Sequence, residues 1–271
     1  MENSRSYQSY LKSPYKSLKH STYFECYDHF FESFRHKDIT FVEIGVLSGG
    51  SLFMWRDYFG PKARIIGVDL NPNAKKWEES GFEIYIGNQS DVSFWNEFKS
   101  RVGGIDLILD DGGHTYEQQI ITTECLLSGL NDGGILVVED THTSYMDSFG
   151  PKKYSFIEYV KNKIDSINKR FEKLSDMKAE KRFWSIEIVE SMVAFKINTK
   201  ASNLPSKQID NGGEDDLAED YRFEDNSSFK ALNNLQNILV VPKFLPFARY
   251  VVVKIKNHLI NKKFSAKKYF D

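Results

Sequence analysis

From Ile105 to His142 the chain reads IDLILDDGGHTYEQQIITTECLLSGLNDGGILVVEDTH. Two apolar runs, Ile105–Leu109 and Ile135–Val138, each end in a pair of acids. The first pair, Asp110-Asp111, is followed by Gly112, Gly113 and His114; the second, Glu139-Asp140, by Thr141 and His142. Between them lies a segment with helical spacing, closed by Asn131-Asp132-Gly133-Gly134, which reads as a turn. The order is strand, helix, strand. In a parallel sheet both strands point the same way, so both acidic pairs land on one rim, where open α/β sheets bind ligands. Three or four carboxylates converging there repel one another unless something positive sits among them, and a hard divalent cation is the usual answer.

Working outward, Thr40–Gly45 reads as a first buried strand, running through Val46–Ser51 into a helix, Leu52–Phe59. The glycines permit a tight turn, and a helix N-terminus favours negative groups. A second strand, Arg64–Asp69, ends in an acid, the layout of a nucleotide-binding βαβ unit whose acid takes ribose hydroxyls. Phe82–Ile86 reads as a third strand, leading through Gly87-Asn88-Gln89-Ser90-Asp91 into a helix over about 92–101. Alternation of strand and helix from 40 to 140 predicts an α/β class with a parallel sheet. Beyond a loop at Tyr145–Pro151 and a helix over Ser155–Phe171, the runs Phe183–Val189 and Met192–Ile197 are separated only by Glu190-Ser191. So short a link demands an antiparallel pair. A parallel sheet finished by such a hairpin is typical of class I methyltransferases. A rival nicotinamide oxidoreductase reading expects no such hairpin, and a Tyr-x-x-x-Lys pair after the fifth strand.

Four segments are expected: an N-terminal arm and cap helix over 1–36, the catalytic domain over 37–198, an acidic linker over 199–228 and a basic amphipathic tail over 229–271. Tyr23 to Phe34 reads as the cap helix, with residues 1–22 a polar arm outside the core. The tail's Phe247–Phe264 reads as one amphipathic helix, which either covers an oligomer interface or the core, or touches an anionic membrane. With 271 residues and a net charge of −2, no global field argues for nucleic acid. The two cysteines, Cys26 and Cys125, suit a reducing cytoplasm, and MENSRSYQSYLKSPYKS has no apolar stretch of the secretory-signal kind. Cytoplasmic location is the expectation.

The ordered set Glu43-Ile44-Gly45, Gly49-Gly50-Ser51, Asp69, Asn88-Gln89-Ser90-Asp91, Asp111-Gly-Gly-His114 and Glu139-Asp140 resembles the metal-dependent S-adenosylmethionine sugar O-methyltransferases, in particular the macrolide deoxysugar group that includes the mycinamicin enzymes. The resemblance spans about residues 15–198 and takes in Lys16, His20 and Tyr23, although Tyr15 stands where that family has Asp. It implies a Rossmann-like class I methyltransferase fold with a seven-stranded, mostly parallel sheet, an oligomeric enzyme and a sugar-containing acceptor. It also implies Mg2+ held by Asp111, Glu139 and Asp140, with His114 as general base and His142 as runner-up. Glu43, Gly45, Gly49, Gly50 and Ser51 would cradle the methionine part of S-adenosylmethionine, Asp69 would bind both ribose hydroxyls, Gln89, Ser90 and Asp91 would hold the adenine edge, and Asn71 is a further cofactor-binding candidate. Asp110, Lys16 and Tyr23 are further cofactor candidates, and Tyr145 and Phe149 are candidates for sugar stacking. Each acid taken alone is as easily a helix cap, and Trp55, Trp77, Trp95 and Trp184 read as packing. The remaining alternatives are a hydroxylase-like Rossmann enzyme and a non-catalytic scaffold of the same fold.

Overall fold

The computed structural model describes residues 2–171, 174, 179–214 and scattered positions between 227 and 270. Residues Met1–Gln208 form one compact unit and Ile209–Asp271 a second. The first unit is built on strands β1 (Thr40–Ile44), β2 (Arg64–Asp69), β3 (Glu83–Ile86), β4 (Ile105–Asp110), β5 (Leu130–Val138), β6 (Ser185–Val189) and β7 (Met192–Lys196). They lie in the order β3-β2-β1-β4-β5-β7-β6, parallel except for β7, which is antiparallel to both its neighbours. This is the Rossmann-like class I methyltransferase arrangement that the alternating runs and the terminal hairpin predict.

Both faces of the sheet are buried, which is why its strands are almost continuously apolar. Phe41, Leu107, Leu109 and Val137 point to one face, where they meet aromatics of α2 (Tyr23–Phe31) and α3 (Gly50–Phe59). Val42, Ile44, Ile108, Leu136 and Val138 point to the other, toward α4 (Val92–Val102), α5 (Tyr116–Leu126) and α6 (Phe156–Asn168). On the first face Trp55 is surrounded edge-on or tilted by Tyr27, Phe31, Phe41 and Tyr58. Such pairs add about 0.5–1.5 kcal/mol each beyond their burial. They hold α2 rigidly across the sheet's carboxyl rim.

Several boundaries differ from the sequence reading. The arm is not merely a polar appendage, because Arg5–Lys12 forms a helix, α1, capped by Ser4. Its serines are buried: Ser6 Oγ donates to the Phe24 carbonyl and Ser9 Oγ to Asp57. Asn131 to Gly134 is not a turn but the first part of β5, with a register irregularity against β4 that accommodates the glycines. The cap helix ends at Phe31 and is continued by a 3-10 turn, Glu32–Phe34. Residues 199–208, expected in the linker, continue the first unit: Thr199–Asn203 is a short helix, α7, whose Thr199 N–H donates to Asp132. Trp184 is half-exposed, whereas Trp55, Trp77 and Trp95 are buried as expected. Residues 215–226 of the expected linker and most of the expected tail helix over 247–264 lie outside the described residues. No described helix is long and apolar enough to cross a membrane.

Candidate active site at the carboxyl rim

A cleft of about 390 Å³ opens where the chain leaves β1, β2, β3 and β4. Asp69 closes one side of it, and Asp111, His114 and Asp140 the other. The glycines at the β1 end are required by protein packing. Gly45 has φ +91°, and a Cβ there would stand 2.0 Å from the Asp111 carbonyl oxygen. The β1 and β4 ends can approach this closely only without a side chain. A Cβ on Gly49 would meet the Trp77 ring, and one on Gly50 the Tyr15 carbonyl oxygen. Both therefore seat the arm and the 3-10 segment Pro72–Ser80 against the loop.

Two of the acids expected at the cofactor are internal. Glu43 is fully buried and accepts hydrogen bonds from Ser51 Oγ at 2.8 Å and Trp55 Nε1 at 3.0 Å. Burial pushes its carboxyl up to about 7 against the pull of Lys19, Ser51 and Trp55. Asp110, also pushed up to about 7 by burial, accepts from Gln89 Nε2 at 3.1 Å and from the Gly112 N–H. Gln89 reaches the cleft edge while its side-chain Oε1 accepts from the Gly113 N–H. Asp69 faces the cleft and accepts from the N–H groups of Val46, Leu47 and Asn71. These bonds shape the glycine loop and leave lone-pair capacity toward the cleft. Asn71 caps the 72–80 segment, and Asp91 caps α4 through the Ser93 N–H. Neither Ser90 nor Asp91 lines the cleft, and exposed Lys16 borders a neighbouring hollow beside Trp77.

The four acids at the ends of β4 and β5 divide by burial. Asp110 and Glu139 turn inward, and Asp111 and Asp140 face the rim. Lys19 and Tyr27 both reach Glu139, Lys19 Nζ at 3.1 Å, and the same ammonium stands 2.6 Å from Asp111 Oδ2. Burial, and then the neighbouring charge of Asp111, push the Glu139 carboxyl well above its usual range, while Lys19 and Tyr27 pull it back. Tyr23 OH donates to Asp140 at 2.5 Å and lies 2.9 Å from Ser191 Oγ at the hairpin tip. His114 Nε2 lies 3.3 Å from Asp140 Oδ2 and 3.8 Å from Asp111 Oδ1. His142 Nδ1 pairs with Ser191 Oγ.

His114, Asp140 and Ser191 all hold left-handed φ angles, 58°, 55° and 59°. Such conformations cost energy and persist where the surroundings over-determine them. His114 and Asp140 meet at the rim, and Ser191 meets Tyr23 and His142 beside them. Ligand atoms of Asp111, His114 and Asp140 converge within 4.8 Å, as do those of His20, Asp140 and His142. Glu139 belongs to neither group, and Tyr27 and Lys19 engage its two oxygens. The donor set still suits a cation: three carboxylates of hard oxygen, with an ammonium already drawn between two of them.

Lys19, Tyr27 and Ser191 did not emerge from the sequence. Tyr27 lies one turn after Tyr23 on the same face of α2, a spacing that would have flagged it. Leu18, Leu47 and Leu70, exposed around the cleft mouth, were likewise missed. Tyr145 is exposed and Phe149 part-buried, and neither lines the cleft. Several Tyr-x-x-x-Lys spacings occur in the chain, and the one that follows β5 within the first unit is Tyr159–Lys163 on α6. Both residues engage Glu124 and neither borders the cleft, so they offer nothing to a nicotinamide.

Residues 42–141 match a family profile described as a methyltransferase domain. A 2'-O-methyltransferase of 8-demethyl-8-alpha-L-rhamnosyl tetracenomycin-C from Streptomyces olivaceus is 35% identical over 135 residues, 47% of this chain and 35% of that protein. The mycinamicin VI 2''-O-methyltransferase of Micromonospora griseorubida is 31% identical over 154 residues, 52% of this chain and 38% of that protein. The matched region thus amounts to little more than a third of each curated relative. Among solved structures, the mycinamycin-pathway methyltransferase MycE, crystallised with Mg and SAH, shares the fold with a TM-score of 0.63 at 23% identity, over 72% of this chain and 54% of that one.

Proposed function

We propose that this chain, carrying a methyltransferase domain, is an S-adenosylmethionine-dependent O-methyltransferase that acts on a sugar hydroxyl of a glycan or glycosylated natural product. The observation that carries the reading is one rim holding a cleft with Asp69 on one side and the Asp111–His114–Asp140 group on the other. Asp111, Glu139 and Asp140 would hold Mg2+. When bound, S-adenosylmethionine supplies an electrophilic methyl group, and the cation lowers the pKa of a coordinated hydroxyl.

The chain's own residues position and deprotonate. Asp69 offers its remaining lone pairs to the ribose hydroxyls, and Leu47 and Leu70 give the cofactor apolar walls. Glu43 and Ser51 act from beneath, fixing the loop that faces the methionine moiety. His114 takes the proton of the acceptor hydroxyl while an O–CH3 bond forms and the S–CH3 bond breaks, leaving S-adenosylhomocysteine. Asp140, 3.3 Å away, orients the imidazole for that transfer. Tyr23 and Ser191 keep Asp140 in place. Two neighbouring hydroxyls of a sugar ring would serve as further oxygen ligands to a cation held by these acids. The reading places the enzyme in the cytoplasm, where Cys26 and Cys125 stay as free thiols.

The test is calorimetric binding of S-adenosylhomocysteine followed by Mg2+, on the wild type and on an Asp111→Ala/Asp140→Ala double variant. Micromolar cofactor binding in both, with metal binding lost in the variant, is expected. Cofactor binding with no metal site would remove the chelated-diol step, and no cofactor binding would remove the function.

A further inference from the structure

Lys19 is the buried group that the proposed chemistry leaves unused. Its side chain is 1% exposed, yet its ammonium contacts two of the three acids assigned to the cation. It lies over the Tyr27 ring, 5.6 Å from the centroid. The acids have no other Lys or Arg partner among the described residues. The segment that delivers it, between α1 and α2, forms no regular helix or strand. That segment is fastened to the cofactor loop at its start, where Ser13 Oγ donates to the Gly50 carbonyl at 2.7 Å and the Tyr15 ring rests on Trp77.

We infer that Lys19 is a built-in occupant of the cation site, competing with the divalent metal for Asp111 and Glu139, and that the metal binds as Lys19 withdraws. This rests on the reading of those acids as a metal site. Glu139 has one oxygen on Tyr27 and the other on Lys19, so it can become a ligand only when the ammonium leaves. An ammonium and a divalent ion cannot share neighbouring oxygens in a buried site without strong repulsion. In exchange, Lys19 keeps buried Glu139 and half-buried Asp111 paired whenever metal is absent, and an unpaired buried carboxylate would be costly. Because the same segment lies against Gly50 through the Tyr15 and Lys16 backbone, cation exchange is linked to how the arm covers the cofactor loop.

The experiment is Mn2+ titration of the full chain, followed by the electron paramagnetic resonance signal of free Mn2+, with S-adenosylhomocysteine binding measured in parallel. Lys19→Met is expected to bind Mn2+ at least tenfold more tightly than wild type, and Lys19→Arg no more tightly. Equal or weaker binding by Lys19→Met overturns the competition while leaving the metal reading standing. Absence of Mn2+ binding in every variant, with cofactor binding intact, removes the metal reading and the competition together. A second measurement on wild type needs no variant to fold. Amides of residues 16–22 should exchange hydrogen faster when Mn2+ is added, and unchanged protection there refutes the displacement.

Discussion

The approach of β1 to β4 at the site can be tested with two glycines that share a backbone conformation but not a neighbourhood. Gly45 has φ +91° and Gly81 has φ +81°, both in the region that side chains rarely adopt. A Cβ on Gly81 would meet nothing within 4 Å, so Gly81→Ala should cost only the left-handed conformation, about 1–2 kcal/mol. A Cβ on Gly45 would stand 2.0 Å from Asp111 O and 2.7 Å from its carbonyl carbon, more than 1 Å inside contact distance. Neither partner yields easily, since Gly45 N–H donates to Val68 O at 2.8 Å and Asp111 N–H to Ile44 O at 3.0 Å. Parting the strand ends would break about one such bond, about 1 kcal/mol, and add overpacking of about 1–3 kcal/mol. Gly45→Ala should therefore lose about 3–6 kcal/mol in urea unfolding. At about 2–4 °C per kcal/mol, that lowers the melting temperature by on the order of 10 °C, against a few degrees for Gly81→Ala. S-adenosylhomocysteine binding should weaken in Gly45→Ala alone, because the Asp111 backbone must move. Equal losses in the two variants would refute the packing argument, whatever their absolute size.

Removing the Tyr27 hydroxyl (Tyr27→Phe) strips buried Glu139 of one of its two partners and should cost about 1.5–3 kcal/mol, read by urea denaturation; a neutral result would mean the hydroxyl is not needed there. Glu43 ionises near 7 in the folded chain against an ordinary 4.5, so the folded state holds its proton more tightly. Its contribution is fully present below the unfolded value and is lost as pH rises through about 7, a swing of about 3 kcal/mol at 1.36 kcal/mol per pH unit. The stability of Glu43→Gln relative to wild type should therefore rise by that order between pH 4.5 and 8, and parallel profiles would contradict the burial argument. His114→Ala should lower kcat about 10²–10⁴-fold with cofactor affinity unchanged, and a KM effect alone would assign His114 to binding.

The parallel strands were legible because burial on both faces leaves long apolar runs, and their terminal acids mark the rim whatever their role. The hairpin was legible from a link too short for a crossover. Residues 131–134 were not, because Asn-Asp-Gly-Gly is turn chemistry by composition and only pairing with β4 makes it strand. Helix α1 hid behind serines that are buried through specific bonds to Phe24 and Asp57 rather than by apolarity. Asp91 shows the ambiguity of an acid before a helix, where a capping carboxylate and a ligand-binding one look alike in sequence. Lys19 could not be singled out from neighbouring Lys16, because which lysine turns inward is set by a segment with no periodicity.

The contacts that finish the site join distant parts of the chain: Lys19 to Glu139 spans 120 positions, and Tyr23 to Ser191 spans 168. During synthesis the arm leaves the ribosome before the sheet, and its partners on β5 and the hairpin emerge last of the sheet. Closing such long loops is the slow part of folding. A nascent chain halted before Met192 can hold β1 to β4 in register, but it has no hairpin tip to receive Tyr23. The contacts that join Tyr23, Asp140 and Ser191 are thus completed only once the hairpin has paired with β5.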